Sequence, residues 1–215
     1  MKKLSLTVAA MAVAATALTG CMKETSTLTV SKSKKVTGDV RYLIDNDFVD
    51  MMKAFDEEIP GAQDMSRKKY LTAMMELDAD TPNDLPKGTG FKIVSGKNYS
   101  GWAFTFDKAS FKAVNRFGKE LGESPKKPLV KIALNKKKQV VLKYRLIGLD
   151  DAGELGAEGV SGDLPKSMQP RYKVQATFGG KIVSTNGKVK KKKTVTWSGV
   201  RPDSSKVLKV TAKLK

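Results

Sequence analysis

The side chains that most often carry catalysis are nearly missing from this chain. Its 215 residues include no histidine and one cysteine, Cys21. Without imidazole, the commonest general base, the Ser-His-Asp arrangement and imidazole metal sites are all ruled out. One thiol supports neither a disulfide framework nor a thiolate zinc site. Carboxylates remain. Asp78-Ala-Asp80-Thr-Pro82-Asn-Asp84 has the spaced acids of a calcium loop, but Pro82 stands where a third oxygen ligand belongs, and no turn glycine or closing glutamate follows. Asp150-Asp151 with Glu154 is no better placed. No glycine-rich loop joins a strand to a helix, so nucleotide binding has no support, and no motif brings a serine and a lysine together. The expectation is a protein that is not an enzyme and holds no cofactor and no metal.

Lysine is the chemistry that remains. It is concentrated in three short connections: Lys32, Lys34 and Lys35 in SKSKK; Lys136, Lys137 and Lys138 in NKKKQ; and Lys188 with Lys190, Lys191, Lys192 and Lys193 in NGKVKKKKTVTWSG. Tips on one end of a sheet would form a single basic patch. Tips on alternating ends would only keep turns soluble and edges unpaired. Lys136 to Lys138 and Lys190 to Lys193 are the candidate contacts for anionic headgroups.

The N-terminus decides which anions are within reach. MKKLSLTVAAMAVAATALTGC has two lysines and then an apolar, small-residue stretch from Leu4 to Leu18. That stretch is shorter than the roughly 20 apolar residues of a membrane span, so residues 1–20 read as a secretory leader. Its ending, Leu18-Thr19-Gly20-Cys21, looks like the lipobox of bacterial lipoproteins, in which cleavage precedes the cysteine and its thiol carries diacylglycerol. Removing Lys2 and Lys3 with the leader leaves 38 Lys and Arg against 22 acids, a net charge of +16. Such an excess would ordinarily raise nucleic-acid binding. An extracytoplasmic lipoprotein meets phospholipid headgroups, phosphorylated glycolipids and acidic wall polymers instead, so nucleic acid is not expected as a partner.

The rest of the chain must position these groups, and its pattern is mostly β. Thr25–Val30 and Val36–Ile44 flank SKSKK, Phe91–Val94 and Trp102–Phe106 flank SGKNYSG, and Leu129–Leu134 and Val140–Ile147 flank NKKKQ. Tyr172–Phe178, Lys181–Ser184, Thr194–Trp197 and Val207–Leu214 complete the strands, with Asn186-Gly187 as turn chemistry ahead of the lysine run. Three helical stripes interrupt them. Asn46-Asp47 caps the first, carrying Phe48, Met51, Met52, Phe55 and Ile59 up to Pro60-Gly61. Ser66 caps the second, with Tyr70, Leu71, Met74, Met75 and Leu77, and the third runs over 108–121 with Phe111, Val114, Phe117 and Leu121, ending at Gly122. The fold class is therefore α+β, hairpins with two or three amphipathic helices on them. Residues 1–20 are the leader, 21–27 the lipidated cysteine and a short tether, and 28–215 one domain. Within it, 45–84 carries eleven acids and four bases, an acidic helical insert on a basic scaffold. Residues 148–170 are rich in Gly, Asp and Pro and read as a long excursion.

Several segments together carry a resemblance. The lipobox, the opening CMKETSTLTVSKSKKVTGDVRYLI, the helix start DNDFVDMMKAF and the late run FGGKIVSTNGKVKKKKTVTW resemble the LppM-type lipoproteins of actinobacteria. The resemblance implies a curved antiparallel β-sheet, a lipid anchor on the outer leaflet of the plasma membrane, and a role in binding lipid or glycolipid. Some relatives carry a transmembrane helix after the domain. This chain ends at Lys215, so the lipid is expected as sole anchor. Relatives commonly have Pro in the Phe-x-Gly turn and Gly before the tryptophan strand, where this chain has Gly179 and the lysine run.

Two function classes follow. In the first, the chain is a non-enzymatic binding module for lipid, glycolipid or anionic envelope components, anchored in the cell membrane and facing outward. Phe48, Met51, Met52, Phe55, Phe178 and Trp197 are then the apolar ligand candidates, since methionine-rich faces adapt to irregular apolar ligands. In the second, it is a structural or interaction protein of envelope assembly that binds a protein partner through the acidic helical insert.

Overall fold

MKETSTLTV alternates along its length, and Met22, Glu24, Ser26, Leu28 and Val30 share one buried face. This is β1 (Met22–Val30), the first element of the computed structural model, which describes residues 22–57, 59–74, 85–121, 126–146 and 170–214. The expected tether at 22–27 is thus strand: its threonines and serine suit a pleated surface, and both neighbours pair with it along its length. The leader, Cys21, Met75, Leu77, the Asp78–Asp84 segment, Gly122 and residues 148–169 of the excursion lie outside the described residues.

β1 turns back through Ser31–Lys34 into β2 (Lys35–Asp45), in register from Met22 opposite Ile44 to Val30 opposite Val36. Asp45 then caps α1 (Asn46–Phe55), its carboxylate accepting from the Asp47 N–H at 3.0 Å. A 3-10 turn at Ala62–Asp64 leads to α2 (Arg67–Met74), where Ser66 Oγ accepts from the Lys69 N–H at 3.3 Å. β3 (Thr89–Ser95) and β4 (Tyr99–Ser110) form the second hairpin, and Ser110 caps α3 (Phe111–Glu120). β5 (Val130–Leu134), β6 (Val140–Leu146), β7 (Arg171–Phe178), β8 (Ile182–Thr185), β9 (Lys188–Lys190), β10 (Thr194–Val200) and β11 (Lys206–Ala212) follow.

The strands divide into two sheets, ordered β3-β4-β2-β1-β7-β10-β9 and β5-β6-β11-β8. The fold is α+β, with antiparallel neighbours everywhere among these strands except β1 and β7, which run parallel. Two sheets rather than one arise because β8 and β9, adjacent in sequence, part company at Asn186-Gly187: β8 pairs with β11, and β9 with β10.

α3 covers the aromatic core. Phe117 meets Phe104 and Phe106 edge-on, with ring centroids 5.6 and 5.7 Å apart, contacts worth about 0.5–1.5 kcal/mol each beyond area burial. Gly118 lets the helix approach β5: a Cβ there would fall 2.1 Å from the Val130 carbonyl oxygen. Asn115 seals the contact, its amide donating to the Ile132 carbonyl at 2.8 Å while its oxygen accepts from the Ile132 N–H at 2.7 Å.

Candidate functional site

All three lysine-rich connections open on one end of the molecule. Val30 opposes Phe178, and Thr177 opposes Thr194, so the Ser31–Lys34 and Lys191–Lys193 turns leave the same edge of the larger sheet. The backbone ties them together: Gly179 N–H donates to the Val30 carbonyl at 2.8 Å, Phe178 N–H to Lys193 at 2.9 Å, and Ile182 N–H to Lys192 at 2.9 Å. Ile182 begins β8 and opposes Ala212, which opposes Val140, so the turn holding Lys136–Lys138 opens on that end too. Lys181 and Lys213 meet there through a 2.9 Å backbone bond. Lys108, where β4 gives way to α3, also belongs to it, as does one exposed acid, Asp107.

Local chemistry builds each tip. In the β5–β6 turn Asn135 Oδ1 accepts from the N–H groups of Lys137 at 3.0 Å and Gln139 at 2.9 Å, an Asx turn that leaves the three lysines outward. Ser31 Oγ accepts from the Lys35 N–H at 3.0 Å. The Thr177 and Thr194 hydroxyls meet at 3.1 Å under the Lys191–Lys193 turn. Lys32, Lys34, Lys35, Lys108, Lys136–Lys138, Lys181 and Lys190–Lys193 are all exposed. Like charges so gathered raise the local potential and favour anions.

The apolar ligand candidates are placed apart. Phe48, Phe178 and Trp197 are buried in the core, and Met52 is half-buried against it. Met51 and Phe55 are 40 % and 80 % exposed. Phe178 ends β7 at the lysine end, whereas Phe48 sits in the first turn of α1, beyond the opposite end of β2. Trp197 is pinned by its indole N–H, which donates to Asn186 Oδ1 at 2.9 Å.

Sequence reasoning missed a buried ionic cluster. Glu24 and Arg201 form an ion pair with both side chains almost wholly buried, and the Tyr144 hydroxyl donates to the other Glu24 oxygen. Tyr144 lies on β6 of the smaller sheet and Glu24 on β1 of the larger, so the carboxylate bridges the two sheets. Burial, and then the Glu24 carboxylate, push the Tyr144 and Tyr42 hydroxyls well above the ordinary phenol value. Burial works against the Arg201 charge, but Glu24 together with the Tyr42 and Tyr144 hydroxyls outweighs it, and the guanidinium is held above its usual value. On the same strand face Ser26 Oγ is buried without a hydrogen-bond partner among the described residues, as is Trp102 Nε1. The available signal was parity, because Glu24 falls on the same face of the alternating strand as Leu28 and Val30.

At the far end α1 and α2 are joined by Arg67, which donates through Nε to Asp50 at 3.0 Å and through Nη2 to its other oxygen. Among the described residues, no group of three His, Cys, Asp or Glu stands close enough to hold a metal ion, and no helix is long and apolar enough to cross a membrane.

No curated protein matches the chain. Its fold is similar to the NMR structure of the folded domain of Mycobacterium tuberculosis LppM, with 15 % identity, a TM-score of 0.54, and 90 % of each chain covered. The LppM domain family model matches residues 24–215, from the buried glutamate to the last residue. The chain therefore belongs to the LppM domain family, a membership that suggests a membrane-associated lipoprotein of the cell envelope.

Proposed function

We propose that this chain is a non-enzymatic binding module of the envelope, held in the membrane by a lipid on Cys21, whose lysine-rich end recognises anionic envelope components. The observation that supports it is the gathering of three separate lysine-rich connections on one end. Near an anionic surface each such lysine contributes about 1 kcal/mol, so a single tip is already a significant contact. The absence of histidine and of a second cysteine favours binding over catalysis. Flotation of the Cys21→Ser chain, without its leader, should show salt-sensitive association with vesicles rich in phosphatidylglycerol or with soluble polyphosphate, and none with neutral vesicles. Equal behaviour towards neutral and anionic probes at low salt would sink the reading.

A second reading has its own observation. Met51 and Phe55, one helical turn apart on α1, are exposed beside Asp47 and Asp50 on the acidic insert. An exposed apolar pair of this kind fits an apolar face of an envelope protein partner. Chemical cross-linking at α1 on intact cells that captures lipid but no protein would remove it.

A further inference from the structure

We infer that the lysine-rich end binds an anionic polymer standing away from the bilayer that holds residue 21, not the headgroups of that bilayer. This rests on the proposed lipidation of Cys21 and on the anion-binding reading of the lysine end.

The first support is where β1 begins. Met22, the residue after Cys21, is already paired with Ile44, and Lys23 with Arg171, so no slack chain separates the acylated position from the sheet. Nine residues of strand place Val30 about 26 Å from Met22, and the lysine turns lie beyond Val30. The screening length at physiological ionic strength is about 8 Å. With β1 standing off the bilayer, headgroups at the anchor are some three screening lengths from the lysines, and their pull on them is small.

Backbone conformation supplies the second support. Among the described residues the non-glycine positions with positive φ are Lys34 at 60°, Lys108 at 47°, Lys138 at 54°, Lys191 at 51° and Lys192 at 59°. Each is a lysine, and each lies at the end remote from Met22. Glycine adopts this region freely and asparagine readily, whereas a lysine there carries a steric cost. Retaining lysine at five such positions exchanges stability for charge, the pattern expected where strain serves a contact. Charge complementarity then selects the partner: a flexible chain of phosphates or carboxylates can follow three tips spread over two sheets, which a single headgroup cannot.

The test uses the chain without its leader, coupled through its one cysteine to a maleimide lipid in vesicles, with fluorescent soluble polyphosphate as probe. On neutral phosphatidylcholine vesicles the anchored chain should capture polyphosphate with the affinity of the free Cys21→Ser chain. Adding phosphatidylglycerol to the same vesicles should leave that capture unchanged. Replacing Lys34, Lys138, Lys191 and Lys192 together by glycine should raise the melting temperature by a few degrees while weakening capture by at least about tenfold. Suppression of capture by phosphatidylglycerol in the anchoring vesicle places the lysines on that leaflet and overturns the inference. So does undiminished capture by the glycine variant. If the free chain binds neither polyphosphate nor anionic vesicles, the underlying binding reading fails, and the inference with it.

Discussion

Glu24 shows how far a residue's role can depart from its local sequence. In MKETSTLTV it looks like one more polar residue near a tether, yet its carboxylate is buried between two sheets, held by groups 120 and 177 positions away. Strand parity was legible; partners so distant leave no periodic trace. Removing one member of such a pair strands the other charge, so Arg201→Ala should cost about 3–5 kcal/mol in denaturant unfolding. Tyr144→Phe leaves a carboxylate oxygen unsatisfied and should cost about 1–3 kcal/mol. A loss near zero for Arg201→Ala would show that the pair is open to water. The tyrosines add a pH dependence. Their folded hydroxyls are held above the unfolded value near 10, so they bind protons that the unfolded chain releases. Their contribution is complete below about pH 10 and drains away as pH rises above it. The unfolding midpoint should fall with pH in that range, and less steeply in Tyr144→Phe.

At the level of elements, the hairpins were the readable part, because turn residues and lysines punctuate alternating runs and each strand's partner is its neighbour in sequence. The lysine run in NGKVKKKKTVTWSG is indeed the tip of a hairpin, β9 to β10. Asn186-Gly187 does something the turn signal could not convey, since it is the corner where the chain leaves one sheet for the other. Asn186 Oδ1 accepts from Trp197 Nε1 and, at 2.8 Å, from the Lys209 N–H, while its amide donates to the Val207 carbonyl at 2.9 Å. Gly187 makes room for the indole: a Cβ there would lie 2.4 Å from Trp197 Nε1. Gly187→Ala should therefore destabilise by about 1–3 kcal/mol through overpacking, with a shift in tryptophan emission, and a silent substitution would contradict the close approach. α1 was read one residue late. Asp45, not Asn46-Asp47, is the cap, and the helix ends at Phe55, so its buried side is Asn46, Phe48 and Val49, while Met51 and Phe55 turn outward. The apolar stripe from 48 to 59 was real in spacing but ran past the end of the helix.

The whole molecule is polar in a sense its composition hides. A net charge of +18 over the full chain says nothing of where the charge lies, and only pairing across long separations gathers three lysine-rich turns on one end, with α1 and the acids Asp45, Asp47, Asp50 and Asp56 at the other, where β2 ends. Sheet order was equally hidden, because the parallel pairing of β1 with β7 joins segments more than a hundred residues apart. That pairing also decides how the domain bears load. β1 lies inside the larger sheet, bonded along its length to β2 on one side and β7 on the other. A pull on residue 21 acts along the strand axis, so both ladders are loaded in shear and their bonds must yield together, whereas an edge hairpin opened from its free ends yields one bond at a time. In single-molecule pulling, the rupture force from residue 21 should exceed that for separating β5 from β6 at Val130 and Leu146, and a lower value would count against it. A lipid on Cys21, as proposed, would pass its load through β1 into the interior of the larger sheet, not to one of its edges.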